Sequence, residues 1–392
     1  MTTMDHVRYL AETIGPRGST TAAEAKAANY AAQVLDGEGL VPTSESFSSA
    51  KSAWHPVVLF CGAVLVAEVL FLLEGLWGAV AAVLLAGYVL SSVLLELAFR
   101  SNPLRWLLPK ARSQNVWARI QPTAELKEQV VIMGHLDTHR TPLVFSTDRW
   151  LGLYQSFVPV GLVSAVGLVV VFAVGIASPD VVWRWLSLPL ALVMLALFGL
   201  TAQADLSPYT AGADDNASGA AVVLSTAAQL AHAPLAHTAV WAVLSGCEEV
   251  GCYGADAFAR AHVAELGRAA WVVVDSAGGR GARPSYLASE TFLLTVRSDA
   301  GLAAAFQRVA HRRPDLEAHA SAMRGAYTEG AIGAQHGFRV LSLISQRTDG
   351  GLPEWHRPTD VADSVDPEVV GRTETLLWEL LQEIDVEAAR RP

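Results

Sequence analysis

Five short clusters in this sequence carry side chains that can ligate a metal or move a proton. They are Gly134-His135-Leu136-Asp137, Gly212-Ala213-Asp214-Asp215-Asn216, Cys247-Glu248-Glu249, Val274-Asp275 and Trp355-His356-Arg357-Pro358-Thr359-Asp360. Each alone has an ordinary explanation. An Asp-Asp-Asn ahead of a helix is an N-cap, adjacent glutamates make a solvated pair, and a histidine beside a tryptophan packs or lies on the surface. Together they form a donor set. Zinc accepts imidazole nitrogen and carboxylate oxygen at roughly 2.0–2.2 Å. Charge agrees: two Zn²⁺ are neutralised by Asp215, Glu249, Asp275 and one hydroxide, and a neutral buried site avoids a large desolvation penalty.

The flanking residues say how such groups meet. The apolar run Gln129–Met133 leads into His135, His237–Leu244 leads into Glu248 and Glu249, and Ala270–Val274 leads into Asp275. Short apolar runs between turn residues predict buried strands. Strands are therefore expected at Asn115–Ile120, Gln129–Met133, His237–Leu244, Ala270–Val274, Phe292–Val296 and Arg339–Ile344. Helices are expected from the capping spacing Thr21-Ala22-Ala23-Glu24 to Gly37, then over Ser218–Ala231, Gly254–Glu265, Leu302–His311 and Glu368–Ala389. This alternation predicts an α/β fold, a mostly parallel mixed sheet with helices on both faces. In such sheets sites gather at the carboxyl ends of the strands, which brings His135, Glu248, Glu249 and Asp275 to one rim.

The rest of the chain is unusually apolar. Of its 392 residues 52% are hydrophobic and 17% charged. Val57–Leu73 is apolar apart from Glu68, and Trp77–Leu95, Leu151–Ser178 and Trp185–Ala204 carry no charge. A membrane crossing takes about 20 such residues. They predict two transmembrane hairpins, 56–99 and 151–204, inserted into a catalytic domain built from 1–55, 100–150 and 205–392. Glu68 and Glu96 lie in or at the end of these runs and receive no role. The net charge of −10, without basic runs, argues against nucleic acid as a partner. Cys61, Cys247 and Cys252 give no disulfide framework.

In chain order, GHLDT, GADDNASG, GCEEVG, VVVDSAGG and WHRPTD resemble the motifs of co-catalytic zinc exopeptidases related to bacterial leucine aminopeptidase and glutamate carboxypeptidase (peptidase clan MH). The similarity spans 1–50 and about 113–392, excluding 144–205, and YLAETIGPRGSTTAAEAKAANYAAQVLDGEGL resembles that family's first helix and the turn before it. The resemblance implies two zinc ions per chain. His135 and Asp275 would bind one, Glu249 and His356 the other, and Asp215 would bridge them, followed by a cis peptide bond to Asn216. Glu248 would be the general base, carrying a proton from the attacking water to the leaving amine. Asp137 would hold the His135 imidazole in its tautomer.

There are departures. A hairpin stands between His135 and Asp215 where the family has a short loop. Tyr327-Thr328-Glu329-Gly330 replaces a Ser-Asp-His segment, and His139 is an extra histidine, read as lying behind the ligands or at the surface rather than among them. The implied activity is a membrane-anchored aminopeptidase acting on peptides. A carboxypeptidase or dipeptidase, a glutaminyl cyclase-like enzyme, or a non-catalytic membrane protein on the same fold stay open. The expected partners are a peptide, the lipid bilayer and a second copy of the chain.

Lys51, Arg100, Arg105, Lys110, Arg112 and Arg149 flank the apolar runs on the side of the polar segments, against Arg184 alone in the opposite turns. The positive-inside rule then places the polar domain in the cytoplasm, with the chain multi-pass. A fluorescent protein fused to the C-terminus should glow, and alkaline phosphatase fused there should stay silent. The reverse pattern would refute this orientation.

Overall fold

Three apolar runs, VVIM, AVWAVL and WVVV, form the centre of a sheet because each is buried on both faces. The computed structural model describes residues 1–98 and 102–391. Arg100, counted above among the flanking cations, lies outside them. Nine strands occur among the described residues: β1 (Thr43–Ala50), β2 (Lys110–Ile120), β3 (Glu128–His135), β4 (Thr238–Ser245), β5 (Ala270–Asp275), β6 (Arg283–Thr291), β7 (Thr295–Arg297), β8 (His319–Arg324) and β9 (Arg339–Gln346). Their order is β1-β2-β4-β3-β5-β9-β6-β7, with β8 beside β6. The central β4, β3, β5 and β9 run parallel, while β1–β2, β2–β4 and β6–β9 are antiparallel. The fold is thus a mixed α/β sheet with a parallel centre.

Register places the site. His135 pairs level with Ser245, and Asp275 with Ile344, so the carboxyl ends of β3, β4 and β5 finish together. The helices Ala22–Gly37, Gly219–His232, Tyr253–Leu266, Ala300–Arg312 and Pro367–Ala389 accompany the sheet. Asp299 caps Ala300–Arg312 through the N–H groups of Gly301 and Leu302, and Asp366 caps the last helix through Glu368 N–H, with Pro367 at its first position. Their apolar faces bury Leu35, Leu224, Phe306 and Leu380 against Ile132 and Val272 of the sheet.

Two expectations shift. Phe292–Val296 is a strand only at its end: β6 stops at Thr291, which pairs with Thr295 at the start of β7, so Phe292–Leu294 form a hairpin tip with Leu293 and Leu294 exposed. An apolar triplet misled the strand reading there. β1, β6 and β8 escaped it because Thr43–Ala50 reads TSESFSSA and His319–Arg324 reads HASAMR, where serine and alanine hide the alternation of a half-buried strand.

The chain divides into two compact units. One comprises Met1–Lys51, Lys110–Arg140 and Tyr209–Pro392, the other Ser52–Pro109 and Thr141–Pro208. The second holds four helices long and apolar enough to cross a membrane: His55–Leu73, Gly75–Leu97, Asp148–Ala177 and Val181–Leu206. They have their own core of Cys61, Val64, Leu168, Phe172 and Met194, and Ala67, Ala79, Ala82 and Ala86 let the helices approach closely. Outward they present Val66, Leu73, Trp77, Val163 and Trp185. Glu68 faces this core and accepts a hydrogen bond from Ser187 Oγ at 2.7 Å. Glu96 pairs with Arg105 through both oxygens, at 2.7 and 2.8 Å.

Phe306 is 1% exposed and its ring lies 4.7 Å from that of Tyr286. Phe306→Ala should cost about 3–5 kcal/mol, read as a shifted denaturant midpoint for the purified protein. An unchanged midpoint would contradict this packing.

Candidate metal centre

His135 is the last residue of β3, and Asp275 the last of β5. Asp215 lies in the tight turn Ala213–Ser218 that opens the helix Gly219–His232, and the peptide bond from Asp215 to Asn216 is cis. Glu248 and Glu249 follow β4 across a two-residue turn, and His356 sits in an irregular turn before the last helix. These elements bring the groups together. His135 Nε2 is 3.2 Å from Asp215 Oδ1, 3.8 Å from Asp275 Oδ1 and 4.0 Å from Glu248 Oε2. His356 Nε2 is 3.2 Å from Asp215 Oδ2 and 3.3 Å from Glu249 Oε2. The two oxygens of Asp215 therefore face two separate histidines.

Buried hydrogen bonds hold each loop. The Asp137 carboxylate accepts from the N–H groups of Glu248 at 3.0 Å and Glu249 at 3.1 Å, and from Ser19 Oγ at 2.5 Å. It also meets the His135 ring, as expected, through both its backbone and its carboxylate. Nδ1–H points to the Asp137 carbonyl at 3.1 Å, with the carboxylate at 3.5 Å. Asp360 accepts from the N–H groups of Asp214 at 2.7 Å and Asp215 at 3.1 Å. Asn216 donates to the Val274 carbonyl and accepts from Ser276 N–H, tying the Asp215 turn to the end of β5.

Two further scaffold residues were not singled out for the site in the sequence. Arg17 is wholly buried and donates to the carbonyls of Leu10, Gly15, Leu136, Ala211 and Gly212. Glu24, read only as part of a capping pattern, sends its carboxylate to Thr20 N–H, Ser113 Oγ and Cys247 N–H instead of back to Thr21. Asp360 stood inside a quoted motif without a role. The signal for all three is the same: a charged residue in a segment the fold must bury.

The site is short of positive charge. Burial pushes the Glu249 carboxyl up to about 8, with Asp215 adding to it, and pushes Glu248 well above its ordinary range. Burial likewise raises Asp214 to about 7 and Glu329 to about 7. Burial also works against a charged Asp215, but contact with His135 and His356 outweighs it and holds that carboxylate low. A crowd of buried acids around two imidazoles is the environment a cation neutralises. The donor atoms agree. His135, Asp215 and Asp275 form one group and His139, Glu249 and His356 another, each with ligand atoms within 4.8 Å of one another. His135 Nε2 and Glu249 Oε1 are buried without a hydrogen-bond partner. Nitrogen and carboxylate oxygen in this number fit zinc.

His139 is 7% exposed, beside His356 rather than at the surface. Glu329, undecided from sequence, is buried and accepts from Ser245 Oγ at 2.5 Å. Tyr327 meets Phe292 edge to face, with ring centroids 5.9 Å apart.

Residues 197–381 match the family model described as Peptidase family M28. A glutaminyl cyclase from Tannerella forsythia shares the fold at TM-score 0.59 and 15% identity, covering 97% of both chains. A zinc aminopeptidase from Bacillus subtilis does so at TM-score 0.57 and 13% identity, covering 97% of this chain and 94% of its own. A leucine aminopeptidase precursor from Bacteroides thetaiotaomicron does so at TM-score 0.58 and 13% identity, covering 97% of this chain and 96% of its own. No curated protein matches in sequence.

Asp360→Ala would leave the amides of Asp214 and Asp215 buried and unpaired, at about 1–3 kcal/mol each. The chelator-treated protein should lose that much unfolding free energy. Undiminished stability would show that Asp360 does not hold the turn.

Proposed function

We propose that this chain is an M28 peptidase, a membrane-anchored, two-zinc aminopeptidase that removes N-terminal residues from peptides. The observation that carries the reading is Asp215, whose two carboxylate oxygens each lie 3.2 Å from a different histidine. That is the arrangement of a bridging ligand. His135 and Asp275 complete one site, and Glu249 and His356 the other. Two zinc ions bound there would polarise the scissile carbonyl and activate water.

The chain's own residues supply the rest. Glu248 is the general base. It borders the His135 group, and one of its oxygens accepts from the Cys252 thiol at 3.2 Å, which fixes the carboxylate's direction. It takes a proton from the attacking water and passes it to the leaving amine. Asp137 holds the backbone of Glu248 and Glu249 and so aims the base and a ligand together. Glu248 and Glu329 are acids beyond the ligand set, which favours an incoming ammonium over a carboxylate. This supports cleavage at the amino end over the carboxypeptidase reading.

The four apolar helices support anchoring in the bilayer. Lys51, Arg105, Lys110, Arg112 and Arg149 against Arg184 support a multi-pass chain with its catalytic domain in the cytoplasm. The hairpins are also the surface through which we propose that two copies pair.

Glu248→Gln should keep two zinc ions per chain by elemental analysis and lose roughly 10²–10⁴-fold in turnover. Full activity would refute the base assignment. Dipeptides with a free amine should be cleaved and N-blocked ones refused. Blocked substrates cleaved would favour a carboxypeptidase, and cyclised N-terminal glutamine a cyclase.

A further inference from the structure

Two histidines far apart in sequence lie face to face beside the proposed metal pair. The rings of His139 and His356 have centroids 3.7 Å apart and planes 15° from parallel. The two residues are held very differently. The backbone around His139 is pinned on several sides. Its carbonyl accepts from Thr210 N–H at 3.0 Å, Thr138 N–H donates to the Arg17 carbonyl at 3.2 Å, and Arg17 N–H donates to Thr138 Oγ1 at 3.0 Å. Its ring is fixed too, because Nδ1–H donates to the Arg140 carbonyl at 2.7 Å. His356 belongs to a run of turns. Its own φ is 55° and that of Glu354 is 53°, a left-handed conformation that side-chain-bearing residues adopt at a cost. A ligand on such a segment depends on its neighbours for its direction.

The donor atoms of His139 lie close enough to Glu249 and His356 to share a cation with them. The ring geometry points elsewhere. A ligating nitrogen directs its lone pair in the plane of its ring. The lone pairs of these two rings lie in separate, nearly parallel planes stacked one on the other, so one ion cannot lie in both. What parallel rings do well is stack, and electron-poor against electron-rich is a favourable pairing. An imidazole bound to a cation is electron-poor, and a neutral one is not.

We propose that His139 is a positioning residue, a fixed plate against which the His356 imidazole is held so that its Nε2 meets the cation shared with Glu249 and Asp215. The inference rests on the reading of His356 as a metal ligand. It assigns His139 to the one proposed ligand that no strand end or helix start aims.

The test is a zinc titration of the metal-free, full-length protein in detergent, in competition with a chromophoric chelator. It compares wild type, His139→Ala, His139→Phe and His356→Ala. Outer partners of metal ligands typically contribute roughly 10–100-fold in affinity. His139→Ala should weaken one of the two zinc ions by that factor and leave the other unchanged. His139→Phe keeps a flat ring but loses the bond to the Arg140 carbonyl, and should recover most of the affinity that His139→Ala loses. If His139→Phe binds as weakly as His139→Ala, a stacked ring does not hold His356 and the proposal is overturned. If His139→Ala binds as tightly as wild type, the stack contributes nothing and the proposal falls. A His356→Ala protein that still holds two ions at full affinity would instead overturn the ligand assignment beneath it.

Discussion

Like charges crowded out of water are the constraint on which the molecule turns. Asp215, Glu248, Glu249 and Asp275 converge on two imidazoles at a buried rim, with Asp214, Asp360 and Glu329 close behind. No cluster of this kind assembles on its own account, because each carboxylate raises the cost of ionising the next. The fold has to hold the acids against their repulsion until cations neutralise them. Much of the buried polar structure serves that purpose.

The holding is done mainly by backbone groups. The Asp137 carboxylate takes the amides of Glu248 and Glu249, and the Asp360 carboxylate takes those of Asp214 and Asp215. Two acids thus stand behind the site as anchors for loops that carry other acids. Arg17 supplies a compensating cation without reaching any of them directly. Burial lowers its guanidinium to about 10, while Asp360, Asp137 and Asp215 pull the other way. Its five carbonyl partners join the opening segment to the chain on either side of the His135 and Asp215 clusters. Glu24 does the same for the turn after β4 through Cys247 N–H. Each of these residues is distant in sequence from what it fixes, so the metal centre depends on nearly the whole length of its unit.

The apolar unit is organised by a different rule. Its helices have no polar face to turn toward water, so alanines at their contacts let Phe71, Leu168, Phe172 and Met194 pack closely inside while other apolar side chains point outward. That difference explains how the chain carries both units without confusing their cores. One is built on a sheet with charged loops, the other on helices whose backbone hydrogen bonds are made mostly within each helix.

The sequence by itself determined the elements and the chemistry. Apolar runs ending in His135, Glu248-Glu249 and Asp275 foretold parallel strands delivering donors to one rim, and four apolar stretches, three of them uncharged, foretold the four long helices. Those signals are local, so they survive in a linear string. Strands without such a signal, β1, β6 and β8, were not legible, and the apolar triplet Phe292–Leu294 mimicked one. Tertiary structure alone decided which oxygen of Asp215 faces which histidine, and that Asp137 serves the Glu248 turn as well as the His135 ring. It also decided that Arg17, Glu24 and Asp360 are the braces, and that His139 lies flat on His356. The physical reason is common to all of these. They are contacts between segments brought together by sheet order and register, and hydrogen-bond direction and ring orientation have no counterpart in residue spacing along the chain.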